Sequence, residues 1–80
     1  MIIDVAIRDH AFAPAAVEAA RPVTVRWTHF DPADHDVVWD DVTSPVLKLG
    51  GTYERRFDQP GTFAYRCTIH VGMRGVVTVR

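Results

Sequence analysis

Tyr65-Arg66-Cys67-Thr68-Ile69-His70-Val71-Gly72-Met73-Arg74-Gly75 closes one β pattern and opens another. Ahead of the loop, Phe63, Tyr65 and Cys67 alternate with Ala64 and Arg66; beyond it, residues 75–80 return to a β-branched run. Period-two alternation predicts strands with one buried face. If Tyr65 points into the core, Cys67 points there too, at the rim where the strand stops. The loop itself carries the only cysteine, a histidine and one of two methionines at three-residue intervals.

Working outward, residues 52–57 form another strand candidate, followed by the turn chemistry of Asp58-Gln59-Pro60-Gly61. Arg55 falls on the inward parity between Tyr53 and Phe57, which calls for a local bulge or a side chain that snorkels to an edge. Residues 41–51 read as a long connection ending in Gly50-Gly51. His35, Val37 and Trp39 alternate with Asp36, Val38 and Asp40, predicting a strand there. Val23, Val25 and Trp27 share a face in the clearest strand, and turn-forming residues 30–34 follow it. Ile3, Val5 and Ile7 mark a half-buried strand over 2–8, with Phe12 a core anchor beyond it. Residues 15–20 suit a short helix or a strand centred on Val17; six residues are too few for an independent helix, which favours the strand. The expectation is one all-β domain spanning 1–80: an antiparallel sandwich or barrel of about seven to eight short strands.

Eighty residues bury roughly 60% of the unfolded surface, so a metal bound only by the folded state matters to stability. A net charge of −1 gives no reason to expect nucleic acid as a partner. No apolar run approaches the ~18 residues of a membrane span. Asp4, Arg8, Asp9 and Glu18 interrupt the first twenty residues, so no secretory leader is read there. The expectation is an intracellular protein or one whose leader is already removed. One cysteine forms no internal disulfide and says little about compartment.

Soft sulfur and imidazole donors on one short loop favour copper, and thiolate, two imidazoles and a weak thioether are the donors of blue-copper sites. Cys67, His70 and Met73 supply three of the four. The remaining imidazole comes from His10, His29 or His35. His35 stands after a turn in phase with Val37 and Trp39; His29 shares inward parity with Trp27 and is its rival. His10 has no such support and reads as solvated. Asp31, Asp34, Asp36, Asp40 and Asp41 form an acidic cluster, read as a solvated loop or as steering for a basic partner.

Phe12-x-Pro14, Val25-x-Trp27, the spaced His35, Tyr53-x-x-x-Phe57 and the run from Pro60 to Gly75 together resemble the cupredoxins. The two-residue gap between His70 and Met73 looks like the amicyanin branch, whereas the plastocyanins and pseudoazurins have a longer gap there. The resemblance covers nearly the whole chain and implies a Greek-key β-sandwich with one type 1 copper ion held by His35, Cys67, His70 and Met73. His29 falls where the family commonly has asparagine. Asp34 and Ile69 stand where prolines are usual, and Asp36 stands for an asparagine that ties the two ligand loops; Thr68 is its expected hydrogen-bond partner.

By the same resemblance the protein is an electron carrier, not an enzyme. It is expected to be a monomer, periplasmic or otherwise extracytoplasmic, meeting redox proteins transiently through His70 and the small residues around it. A copper carrier or storage domain, or a domain cut from a larger copper oxidoreductase, would present the same ligands.

Overall fold

Alternating apolar residues build both sheets of the structure, a computed structural model describing residues 1–80. Its strands are β1 (Ile2–Arg8), β2 (Ala11–Ala13), β3 (Ala16–Ala19), β4 (Val23–His29), β5 (Thr52–Phe57), β6 (Gly61–Arg66) and β7 (Arg74–Val79). One sheet runs β2-β1-β4-β5 and the other β3-β7-β6. Val5, Ile7, Val25, Trp27 and Phe57 from the first sheet are buried, as are Ala19, Tyr65, Val77 and Val79 from the second. The all-β sandwich expected from the periodicity is the fold, and the ambiguous stretch at 15–20 is a strand that pairs with β7.

Both sheets are mixed, where antiparallel pairing throughout was expected. β1 runs parallel to β4, and β3 runs parallel to β7. A parallel neighbour needs a long crossover. Residues 9–22 supply it by passing through β2 and then β3 in the opposite sheet, where a βαβ unit would use a helix.

Residues 35–39 also differ from expectation. They form isolated bridges, His35 to Leu47 and Val38 to both Thr43 and Arg66, and all five side chains are buried. The chain folds back on itself here: Trp39 N–H donates to Val42 O at 2.8 Å, and Val37 N–H donates to Ser44 Oγ at 2.8 Å. Those closures use the backbone groups that a regular second ladder would need.

Arg55 faces inward without a bulge, in unbroken register opposite Val25. Its guanidinium lies 4.5 Å from the Trp39 ring centre and 4.8 Å from that of Phe57. The guanidinium is held on the ring faces, with Nη1 buried and Nη2 3.7 Å from the exposed Asp41, so neither a bulge nor snorkelling out to water accommodates it.

Candidate metal centre

The strand ends gather the chemistry at one pole. His29 closes β4, Cys67 follows β6 directly, and Met73 directly precedes β7. Because β1 is parallel to β4, with Ile7 opposite His29, its far end reaches the same pole. There Asp9 and His10 adopt φ of 52° and 55° in the two-residue turn between β1 and β2. That left-handed pair is the hairpin geometry Asp tolerates well.

Cys67 and His35 are both buried, and Sγ lies 3.7 Å from His35 Nδ1. On the far side of the ring, His35 Nε2–H donates to Asp31 Oδ2 at 2.9 Å, and His10 N–H donates to the same oxygen at 2.9 Å. These two donors, the His10 amide foremost, hold the Asp31 carboxyl below its ordinary pKa. A carboxylate at Nε2 keeps the proton there and leaves the Nδ1 lone pair facing the sulfur.

The loop after Cys67 is closed by its own backbone. Cys67 N–H donates to Met73 O at 3.1 Å, and His70 N–H donates to Cys67 Sγ at 3.5 Å. Met73 is buried, while His70 is half-buried with its ring centre 4.7 Å from that of His35. Asp36 ties this loop to the other: Thr68 N–H donates to Oδ1 at 2.7 Å, and the Thr68 hydroxyl donates to Oδ2. Burial opposes the Asp36 charge, yet the Thr68 donors hold its pKa below the usual carboxylate value.

His29 is wholly buried and accepts the Asp31 N–H on Nδ1 at 3.1 Å. Burial, with His35 beside it, lowers its pKa. It braces the loop that carries Asp31. The acidic cluster divides: Asp31 and Asp36 are buried and bonded within the site and Asp34 accepts from Lys48 Nζ at 2.7 Å, whereas Asp40 and Asp41 are exposed, 3.6 Å from Arg66 and 3.7 Å from Arg55. Sequence reasoning left His10 outside the site, but its ring packs edge-on against His70 with centres 4.5 Å apart. The Asp9-His10 turn was the available signal.

The donor set fits a thiophilic ion. Metal–sulfur and metal–imidazole bonds of about 2.3 and 2.0 Å, opened to about 115°, span the Sγ–Nδ1 separation. No three His, Cys, Asp or Glu side chains close around a single point. The buried sulfur–imidazole pair is the set part, with His70 beside it on the loop.

The family described as copper binding proteins of the plastocyanin/azurin type matches residues 1–80. Amicyanin-alpha of Methylorubrum extorquens is 39% identical over 62 residues, covering 69% of this chain and 52% of that protein, so the match spans about half the relative's length. A reduced Cu(I) form of an amicyanin variant has a TM-score of 0.94 at 27% identity, covering 98% of this chain and 81% of that one. A Cu-containing nitrite reductase of Thermus scotoductus has a TM-score of 0.91 at 27% identity, covering 100% of this chain and 22% of that one. With its whole length matched, the chain belongs to the plastocyanin/azurin family of copper binding proteins.

Proposed function

We propose that this chain is a single-domain electron carrier whose one copper ion is held by His35, Cys67, His70 and Met73. The observation that carries the reading is the buried approach of Cys67 Sγ to His35 Nδ1 at 3.7 Å, with Nε2 engaged by Asp31. Copper at such a site supplies one-electron exchange between Cu(II) and Cu(I).

The protein's part is to hold donors that suit both states. Asp31 fixes the tautomer and tilt of His35. Cys67 would hold the ion as thiolate, and the His70 N–H, 3.5 Å from Sγ, would steady the sulfur's negative charge. The Asp36–Thr68 link keeps the two ligand loops at one separation, so little has to move when the charge changes. Met73, buried where β7 begins, would supply the weak thioether donor. Four protein donors leave no open position for a substrate, which favours a carrier over an enzyme.

His70 is the port. It is the half-buried imidazole of the set, flanked by Ile69 and the almost fully exposed Val71. A small apolar rim of this kind suits brief encounters of a monomer with redox proteins, in the extracytoplasmic setting expected from the resemblance. The likeness to part of a nitrite reductase supports a second reading, in which the same domain serves within a larger copper oxidoreductase.

Adding Cu(II) to the metal-free protein tests the reading. An intense visible thiolate-to-copper band should appear, bleach on reduction and return on oxidation, and Cys67→Ser should abolish it. A colourless Cu(II) complex would reject the ligand set; a blue protein that cannot be cycled would reject the carrier role.

A further inference from the structure

Arg66 and Arg74 face each other across β6 and β7. Arg66 N–H donates to Val38 O at 2.9 Å and its own carbonyl accepts from Val38 N–H at 2.8 Å. Both its backbone groups are therefore turned away from β7, which makes Arg66–Arg74 a non-hydrogen-bonded pair. Such pairs bring Cα atoms to about 4.5 Å and side chains closest together, and like charges directly opposite are destabilising. Both arginines are exposed. Asp40 offers the one nearby carboxylate, 3.6 Å from Arg66 Nη1 and itself fully exposed; Arg74 has no ion pair.

Of the acidic side chains around the same pole, Asp31 and Asp36 are engaged inside the site and Asp34 with Lys48, while the exposed Asp9 of the β1–β2 turn directly follows the exposed Arg8. The net free charge beside the loop is therefore positive, although the chain as a whole is at −1. Along the outer face of this sheet the nearer neighbours are short, Thr62 and Ala64 on β6, Val76 on β7 and Ala16 on β3; beyond Thr78 the long side chains Glu18 and Arg80 pair with each other at 3.0 Å. A partner surface can approach closely there. Arg66 and Arg74 also adjoin Cys67 and Met73 in the chain.

The geometry points to a docking face for a redox protein bearing clustered carboxylates, clamped by Arg66 and Arg74 beside the His70 port. This deepens the carrier reading and rests on it for the port. The steering runs opposite to the basic partner that the acidic cluster suggested. Guanidinium pairs favour bidentate carboxylates, and the attraction should fade once the Debye length falls below about 8 Å.

Two measurements test it. The first titrates the isotope-labelled full chain, free of metal, with hexaglutamate peptide and follows amide shifts. Shifts confined to residues 62–66 and 74–78, weakened by salt and lost in the Arg66→Gln/Arg74→Gln double variant, are expected. Shifts spread over other basic residues and unchanged in the variant would overturn the proposal. So would binding to phosphatidylglycerol vesicles without binding to the peptide, which would assign the face to a lipid surface.

The second follows oxidation of the reduced, copper-loaded chain by hexacyanoferrate(III) and by tris(phenanthroline)cobalt(III) at low salt. The double variant should react about threefold to tenfold more slowly with the anionic oxidant and faster with the cationic one, its visible band unchanged. Equal rates in both proteins would overturn the proposal. Because the peptide titration needs no copper, a chain that binds the peptide but never turns blue refutes the carrier reading alone.

Discussion

At the loop pole, the carboxylates of Asp31 and Asp36 each accept two hydrogen bonds from within the site. In the aromatic middle, the indole N–H groups of Trp27 and Trp39, the Tyr65 hydroxyl and Arg55 Nη1 are buried without a partner. Magnitudes explain why both arrangements persist. A ring burying about 150–250 Å² contributes about 4–6 kcal/mol, and an orphaned donor costs about 1–3 kcal/mol. Burial alone therefore suffices in the middle. At the pole, atoms must sit at set positions, and only directional bonds to neighbouring loops achieve that; His29 Nε2 is the exception there.

Trp27→Ala should break the comparison most severely. The side chain is fully buried against Trp39 and Tyr65, so the loss should be about 3–5 kcal/mol. A chain of this size has about 4–12 kcal/mol in total, and urea unfolding should show the variant marginal or unfolded.

The Tyr65 phenol gives the next effect. Burial pushes its pKa up to about 12, against about 10 unfolded. Between those values the unfolded chain releases the proton and the folded one keeps it. Stability should be unaffected by this group below pH 10 and fall by up to about 2.7 kcal/mol by pH 12. Replacement by Phe should remove that alkaline slope in a pH series of urea midpoints.

Asp36→Ala should cost about 1–3 kcal/mol, because the Thr68 amide and hydroxyl lose their acceptor. Its hydrogen exchange should quicken around residues 67–70 and leave β4 protected. Arg55→Met should have the smallest effect. Exchanging a buried, poorly paired cation for an apolar chain of similar length should be neutral or stabilising by about 1 kcal/mol; a large loss in thermal melts would show that the ring contacts of Arg55 dominate.

Side-chain parity made the strands legible. It placed Val25 and Trp27 inward and brought Cys67 to a rim, while the Asp36–Thr68 bond was foreseeable only through the resemblance to the cupredoxins. Parity tells which face a residue occupies but not which strand lies beside it. The parallel β1–β4 pairing was therefore invisible, and with it the arrival of His10 against His70. An antiparallel β1 would have sent that turn to the opposite pole. Residues 35–39 misled for a related reason: alternation was present, but closures to Val42 and Ser44 took the backbone groups. Asp31 looked like loop polarity because its burial depends on His10 and His35 converging from distant positions.

X-ray absorption at the copper edge, measured on the loaded protein in both oxidation states, addresses the central claim most directly. One short copper–sulfur bond and two imidazole nitrogens should be present in Cu(II) and retained in Cu(I). A shell of nitrogen and oxygen alone, in either state, would contradict the account.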